Sequence, residues 1–213
     1  MNKKKVLIIV AHPDDETIFM GGTIYKNTLK ENNWDLTIFS LCRKNDPDRA
    51  PKFQKVCEYY NAKCLMSDIE DETLEPVDIN EMIKKITELA NKEYDEIYTH
   101  GKEGEYGHIR HKEVYKAVRK IIRKKLIKAK EIFFFSYQIR EAIGTDTGFD
   151  TYAYQNADKF INLNEIEFLA KKNIITNLYG FSKGSFEERN CREFESFDTR
   201  KSLRVRLLNI IKK

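Results

Sequence analysis

A short run of branched apolar residues near the N-terminus sets the strongest limit on the fold of this 213-residue chain. Residues 6–10 read Val-Leu-Ile-Ile-Val, with no polar residue to mark a side that faces solvent. A strand that is apolar at every position is typical of a parallel sheet that helices cover on both faces. The sequence therefore predicts that this segment is a fully buried strand.

Further strands and helices alternate along the rest of the chain. Apolar runs predict strands over residues 36–42, 96–100 and 132–135. Apolar residues at helical spacing predict helices over residues 17–30, from 51 to about 60, over 79–89, over 111–128 and from 164 to about 178. Strands that alternate with helices favour an α/β domain with a mainly parallel sheet.

Local signals support several of these helices. Pro51 stands where a helix can begin, because proline is best tolerated in the first turn. Asn164 and Glu167 have the spacing of a capping box. The Gly21-Gly22 pair is costly inside a helix, so it predicts that another element packs closely there.

The composition fits one globular domain and argues against a polyanionic partner. Hydrophobic residues make up 41% of the chain and charged residues 34%, with a formal net charge of only +4. Much of the positive excess lies at the two ends, which favours solvated termini over a nucleic-acid surface. The apolar run 6–11 is too short for a signal peptide or a membrane span. The four cysteines form no Cys-x-x-Cys pair, which favours a reducing compartment, so we expect a cytoplasmic protein.

The basic tail over residues 200–213 has two interpretations. Leu203, Leu207 and Ile210 fall on one face of a helix, and basic residues fall elsewhere. We expect a last helix docked against the domain. The alternative is a basic amphipathic helix that contacts a membrane surface peripherally.

The six residues that follow the first strand carry the most chemical information. Residues 11–16 read Ala-His-Pro-Asp-Asp-Glu, which places an imidazole and adjacent carboxylates in a turn before a helix. His12 and Asp15 are close enough across such a turn to share one cation, while Asp14 points elsewhere and can act on a bound water. A simple helix cap explains neither the His-Pro pair nor the second acid. Glu16 is expected to support the turn.

All four histidines of the chain lie at predicted strand ends. His12 follows the first strand, and His100, His108 and His111 lie within one twelve-residue region after another strand. His108 and His111 are three residues apart near a helix start, so both can face one site. Ligands of such sheets bind beyond the carboxyl ends of the strands. We therefore expect the loops 11–16 and 100–111 to meet there.

Two histidines and one carboxylate form a three-ligand site with open positions, as a hydrolytic Zn²⁺ needs. Such an ion lowers the pKa of a bound water and polarises a carbonyl. Asp14 is then the candidate general base, and the remaining histidine can donate to an oxyanion or to the departing amine. The same donor set holds Fe²⁺ in oxygenases, usually on double-stranded β folds. A third interpretation is a non-catalytic sugar-binding protein that retains a metal site.

These motifs resemble the PIG-L/LmbE-like N-acetylglucosaminyl deacetylases. The similar features are the His-Pro-Asp-Asp-Glu segment 12–16, the Gly21-Gly22 pair and the later His-x-x-His at 108–111. The sequence Glu-Ser-Phe at 195–197 is a weaker match, so the resemblance spans roughly residues 5–197 of a single domain covering 1–213. It implies a Rossmann-like three-layer sandwich. It also implies a zinc-dependent hydrolase that removes the acetyl group from an N-acetylglucosamine-type sugar or sugar conjugate.

The resemblance also assigns roles to the site residues. It implies that His12, Asp15 and His111 bind the metal. It further implies that Asp14 is the general base and that His108 stabilises the transition state.

The chain departs from this family between the two later histidines. The family commonly has Pro-Asp there, and that aspartate supports the first histidine, whereas this chain has Ile109 and Arg110. An arginine cannot accept a hydrogen bond from an imidazole. We therefore expect His108 to take a carboxylate partner from elsewhere, with Glu103 and Glu105 as candidates.

Two further side chains are predicted to contact the substrate. Arg49 follows the second strand, at a position that resembles one where family members use an arginine near the substrate. Its planar guanidinium can bind a sugar hydroxyl or a phosphate, or else pair with Asp46 or Asp48. Tyr106 can stack on a sugar ring, or else simply fix its loop.

Overall fold

The computed structural model describes residues 3–73 and 75–199. The elements, in chain order, are β1 (Lys4–Val10), α1 (Asp15–Tyr25) followed by a π-helical turn (Lys26–Lys30), β2 (Trp34–Cys42), α2 (Arg49–Tyr59), β3 (Lys63–Ile69), α3 (Ile79–Leu89), β4 (Glu93–Thr99), α4 (Gly104–Gly107), α5 (Ile109–Arg123), β5 (Lys128–Phe135), β6 (Tyr137–Glu141), β7 (Phe149–Ala153), β8 (Lys159–Asn162), α6 (Glu165–Asn173) followed by a second π-helical turn (Ile174–Leu178), α7 (Phe186–Asn190) and β9 (Phe194–Thr199).

Seven strands form one sheet in the order β3-β2-β1-β4-β5-β9-β8. The first five strands of that order are parallel. β9 runs antiparallel to them, and β8 pairs antiparallel with β9, so β8 runs in the same direction as the first five. β6 and β7 pair separately as an antiparallel hairpin. The chain leaves β1 on one side toward β2 and later returns on its other side as β4, so the sheet has a topological switch point beside β1. The predicted α/β, Rossmann-like fold with a mainly parallel sheet is confirmed.

Strand β1 is buried on both faces, as its sequence predicts. Val6, Ile8 and Val10 pack in the hydrophobic cluster on one side of the sheet. Leu7 and Ile9 pack in the cluster on the other side. The alternation follows from the two-residue period of a strand, and it explains why no polar residue is tolerated in this segment.

Helix ends differ from the prediction where the chain makes a turn. The helix expected over 111–128 is α5, which ends at Arg123. Lys125 adopts φ +58°, and the N–H groups of Lys125 and Leu126 bond back to the carbonyls of Ile122 and Ile121. This is a Schellman motif, which usually uses glycine and was therefore not visible in the sequence.

Other helix predictions agree closely with the structure. α3 occupies the predicted residues 79–89, and the capping box at Asn164 and Glu167 is present at the start of α6. α2 begins at Arg49, which places Pro51 third in the helix. A proline still fits there, because the first four N–H groups of a helix have no partner within it.

Several strands were not predicted. β3 is half exposed at one edge of the sheet, and β8 is a short, largely exposed strand at the other edge. Edge strands lack the continuous apolar run by which β1 was found. β9 was seen only as a family-like motif at residues 195–197.

A buried ion pair fixes α1 to the C-terminal part of the fold. Glu195 accepts hydrogen bonds from the backbone N–H groups of Gly22 (2.9 Å) and Thr23 (3.0 Å), and the Lys171 ammonium lies 2.9 Å from its carboxylate. Both charged side chains are fully buried. A Cβ atom on Gly22 would lie 2.3 Å from the Leu163 side chain. The close packing predicted for the Gly21-Gly22 pair is therefore confirmed at Gly22.

The prediction of a docked or membrane-contacting tail over 200–213 lies outside the described residues. Within 3–73 and 75–199, no helix is both long and apolar enough to cross a membrane.

We expect Lys171→Met to lower the free energy of unfolding by about 3–5 kcal/mol, because it leaves the Glu195 charge buried without its cationic partner. Urea denaturation measures this change. The neighbouring Lys172 is a matched control, because its ion pair with Glu188 is partly exposed and its loss should cost about 1 kcal/mol or less. Equal losses in the two variants would contradict the role assigned to the buried pair.

Candidate metal centre

The candidate site lies at the carboxyl ends of the adjacent strands β1 and β4. The turn 11–16 follows β1, His100 follows β4, and His111 lies in the first turns of α5. The N–H group of Ala11 donates to Nε2 of His100 at 2.9 Å, which joins the two loops directly. The expected meeting of loops 11–16 and 100–111 is therefore confirmed.

Three donor atoms converge in this site. His12 Nδ1 lies 3.2 Å from Asp15 Oδ2 and 3.2 Å from His111 Nε2. His111 Nε2 lies 3.3 Å from Asp15 Oδ2. The three atoms thus form a nearly equilateral triangle that joins residues from two distant segments of the sequence.

The size of this triangle fits a small divalent cation. Tetrahedral ligands at about 2.0–2.1 Å from Zn²⁺ lie about 3.3–3.4 Å from one another. The observed separations of 3.2–3.3 Å match that spacing. Two imidazoles and one carboxylate are also donors that Zn²⁺ accepts, and they leave a coordination position open. The residues present can therefore hold such an ion.

An outer carboxylate orients the imidazole of His12. Asp71 Oδ1 lies 3.0 Å from His12 Nε2, and Asp71 in turn accepts hydrogen bonds from the Arg43 guanidinium at 2.9 and 3.1 Å. A proton on Nε2 that is shared with Asp71 leaves the Nδ1 lone pair for the centre of the triangle. Asp71 was missed in the sequence, where it is one acid among several in an acidic segment.

Glu105 plays the same part for His111. Its Oε2 atom lies 2.6 Å from His111 Nδ1 and 2.7 Å from His100 Nδ1. Burial opposes ionisation, but the two histidines outweigh it and lower the pKa of Glu105 to about 2. A charged Glu105 thus accepts hydrogen bonds from both Nδ1–H groups and leaves the lone pair of His111 Nε2 to face the triangle.

His100 is not available as a further ligand. Its Nε2 accepts the Ala11 N–H, and its Nδ1 lies against Glu105, so both ring nitrogens are occupied by the protein. This histidine therefore supports the site by joining the two loops. The sequence analysis grouped His100 with the other histidines but predicted no role for it.

Asp14 lies beside the triangle without belonging to it. It has φ +110°, and its carboxylate accepts a hydrogen bond from Arg49 Nη1 at 3.0 Å. Burial and the nearby Asp15 raise the pKa of Asp14 well above its ordinary value. For Asp15 itself burial also opposes ionisation, but His111 and His12 hold its pKa well below the ordinary value. The two adjacent acids are thus set apart by their surroundings, as an acid–base site requires.

Glu16 supports the turn, as expected. It is fully buried and accepts hydrogen bonds from the hydroxyls of Thr17 (2.7 Å) and Tyr179 (2.8 Å) and from the Asp14 N–H (3.1 Å). Burial raises its pKa to about 7. Its hydrogen bond to the Asp14 backbone helps to hold the unusual conformation of that residue.

His108 is a neutral imidazole at the edge of the site. Burial, together with His111 and His12, lowers the pKa of His108 to about 3. Its Nδ1 accepts the Arg110 N–H at 3.3 Å, which assigns the ring proton to Nε2. The His108 ring centroid lies 4.8 Å from that of His12 and 4.8 Å from that of His111. Its remaining N–H is therefore a hydrogen-bond donor close to the triangle.

The prediction that Glu103 or Glu105 pairs with His108 is wrong. Glu105 is bonded to His100 and His111, and Glu103 is an exposed side chain 3.6 Å from Lys102. Within the described residues, a backbone amide takes the place of the acid found in the family.

Arg110, which replaces that acid, has a different role. Its buried guanidinium bonds to Glu113 at 2.7 Å and to both the carbonyl and the carboxylate of Glu70. Glu70 directly precedes Asp71, so Arg110 ties the segment that orients His12 to helix α5. Arg110 therefore helps to position the site through contacts that lie outside the triangle.

A pocket of about 270 Å³ opens over the triangle. Both predicted substrate residues line it. The Arg49 side chain pairs with Asp14 and lies 4.5 Å over the Phe181 ring, while Asp46 accepts only its backbone N–H. The Tyr106 ring packs edge-on against Phe186, with centroids 5.0 Å apart.

The fold and this site define a Rossmann-like α/β protein with a candidate metal centre at the switch point of its sheet. A family model described as GlcNAc-PI de-N-acetylase, or PIG-L, matches residues 7–122. The match covers more than half of the chain and includes the whole His12–Asp15–His111 triangle. The protein therefore belongs to the PIG-L family.

Solved structures share the fold at low sequence identity. An N,N′-diacetylchitobiose deacetylase from Pyrococcus horikoshii is 16% identical, with a TM-score of 0.66, over 94% of this chain and 85% of the other. The A40926 pseudoaglycone deacetylase Dbv21 is 14% identical, with a TM-score of 0.56, over 93% and 96%. GalB, a 4-carboxy-2-hydroxymuconate hydratase from Pseudomonas putida, is 12% identical, with a TM-score of 0.57, over 92% and 96%. No curated protein matches the chain.

We expect Asp71→Asn to weaken Zn²⁺ binding by about 10–100-fold, because the neutral amide no longer fixes the proton on His12 Nε2. Competition with a chelating dye measures the affinity. Asp68→Asn is a matched control, since Asp68 lies on the same segment but is exposed and bonded to Asn45. An unchanged affinity in the Asp71 variant would contradict the orienting role.

Proposed function

We propose that this protein is a zinc-dependent deacetylase that hydrolyses the acetamide of an N-acetylglucosamine-type sugar or sugar conjugate. One observation carries the proposal. Three side chains with atoms that can bind a metal, those of His12, Asp15 and His111, converge on one point, and Asp14 lines the pocket beside them. Membership of the PIG-L family, whose model is described as a de-N-acetylase, supports the same reaction.

The ion proposed for this site would activate both the water and the acetamide. When bound, Zn²⁺ lowers the pKa of water and polarises a carbonyl group. His12, Asp15 and His111 would hold it, and Asp71 and Glu105 would fix the imidazoles that bind it.

Asp14 supplies the proton transfers. Its carboxylate takes a proton from the attacking water as the water oxygen bonds to the acetamide carbon. The protonated Asp14 then returns that proton to the nitrogen as the C–N bond breaks. The products are the amine and acetic acid, whose remaining proton is lost to give acetate and the ammonium form of the sugar. The raised pKa of Asp14 makes its carboxylate a stronger base than an ordinary aspartate, which suits a group that must both accept and return a proton. Arg49, at 3.0 Å, holds the carboxylate in place.

His108 stabilises the charge that develops on the acetamide oxygen. Because its low pKa keeps the ring neutral and its Nδ1 accepts the Arg110 N–H, the Nε2–H group points a donor toward the pocket. A fixed donor of this kind favours the tetrahedral oxyanion over the planar amide. Tyr106 and Arg49, both in the pocket wall, are the residues proposed to contact the sugar.

We expect Asp14→Asn to retain Zn²⁺ but to lose about 10²–10⁴-fold in kcat, because the amide cannot accept the proton. His12→Ala should lose both the metal and the activity. Acetate release from N-acetylglucosamine conjugates and metal content by atomic absorption measure the two effects. The proposal fails if Asp14→Asn hydrolyses the substrate like the wild type.

Removal of the metal tests the cofactor. We expect a chelator to abolish acetate release and Zn²⁺ to restore it, with Fe²⁺ under anaerobic conditions as the alternative ion. Acetate is the decisive product, because the fold is shared with a hydratase as well as with deacetylases. Full activity of the metal-free protein, or oxygen consumption in place of acetate release, would overturn this assignment.

A further inference from the structure

We propose that the site selects an N-acetylglucosamine unit that carries no phosphate, and that Glu187 is the residue that determines this specificity. The inference rests on the proposed deacetylase function and names the substrate class of the same site. Glu187 lies on α7, in the wall of the pocket that opens over the His12–Asp15–His111 triangle.

The pocket is small enough that groups attached to the sugar lie close to its wall. Its volume of about 270 Å³ lies just below the range of about 300–1,000 Å³ that is usual for sites holding drug-sized ligands. A sugar bound with its acetamide at the triangle therefore fills the pocket. A substituent on that sugar must lie near the residues at the mouth.

The charges that line the pocket are unfavourable to an anion. Five carboxylates line it against two arginines, so acidic side chains outnumber basic ones around the bound substrate. A phosphate brought into such a wall is repelled, because like charges within a few ångströms destabilise binding.

Both arginines of the pocket are paired with its carboxylates. Arg49 Nη1 bonds to Asp14 at 3.0 Å, and the Arg43 guanidinium bonds to Asp71 at 2.9 and 3.1 Å. Asp14 is the proposed base and Asp71 orients His12, so an anion that drew either guanidinium toward itself would weaken a contact that the reaction needs. The positive charge of each arginine is thus already balanced by a carboxylate of the site.

Glu187 differs from the other pocket carboxylates. Asp14, Asp46 and Asp71 each accept hydrogen bonds from the protein. Among the described residues, the Glu187 side chain has no hydrogen-bond or ion-pair partner, although it faces the pocket. An ionised carboxylate accepts hydrogen bonds and offers none. Glu187 therefore suits the hydroxyl groups of a neutral sugar and opposes a phosphate.

The test compares two substrates that differ in one group, the methyl glycoside of N-acetylglucosamine and N-acetylglucosamine 1-phosphate. We expect kcat/KM of the wild type to favour the neutral glycoside by about 10-fold or more. Glu187→Gln should reduce the preference for the neutral glycoside, and Glu187→Lys should reduce it further or reverse it. Both changes should act mainly by lowering KM for N-acetylglucosamine 1-phosphate. Amine release measures both reactions.

Two controls isolate the charge effect. Glu103→Gln removes an exposed carboxylate outside the pocket and should leave the ratio unchanged. The neutral glycoside assayed with added inorganic phosphate shows whether phosphate merely sequesters the metal. A wild type that prefers the phosphate, or a ratio that neither Glu187 variant alters, overturns the specificity while leaving the deacetylase function intact. A protein that releases acetate neither from these two compounds nor from the other N-acetylglucosamine conjugates overturns the proposed function itself.

Discussion

Charge balance within a buried site is the constraint on which the rest of this structure depends. Asp15, Glu105 and His111 lie within one cluster and are almost fully withdrawn from water. A buried charge is costly unless it is paired and hydrogen-bonded. Each charge here has a partner of opposite sign or a donor, and these pairings determine which atoms face the centre. The arrangement of the cluster is therefore also the arrangement of the candidate metal ligands.

The two carboxylates outside the triangle determine which nitrogen of each metal-facing histidine carries the proton. Asp71 and Glu105 each face the ring nitrogen of a histidine that points away from the triangle. The protons are held on the outside, and the lone pairs of His12 and His111 are left to converge. Asp14, one residue away from a ligand candidate, has different neighbours and a raised pKa. Adjacent acids in the sequence thus acquire separate chemical characters through their surroundings alone.

Contacts far from the site hold this arrangement in place. The Glu195–Lys171 pair anchors the helix that begins with Asp15, and Arg110 anchors the segment that carries Asp71. The Glu195–Lys171 pair and the Arg110 guanidinium are buried charged groups with several hydrogen-bond partners, so each fixes the orientation of the elements that it joins. Where the family pattern changes at Arg110, the backbone N–H of this residue bonds to His108, and its guanidinium restrains the segment that carries Asp71 instead.

The sequence by itself determined the sheet and the group of residues that meets at its edge. The apolar run 6–10 predicted a strand buried on both faces. The loops that lead from two parallel strands to His12 and His111 were expected to meet, because parallel strands present their carboxyl ends on one side. Only the tertiary structure decided the partners of those side chains. Edge strands without an apolar run, a Schellman turn at Lys125 and the carboxylates of Asp71 and Glu105 left no local signal. Their roles depend on neighbours distant in the chain, and local periodicity carries no information about such contacts.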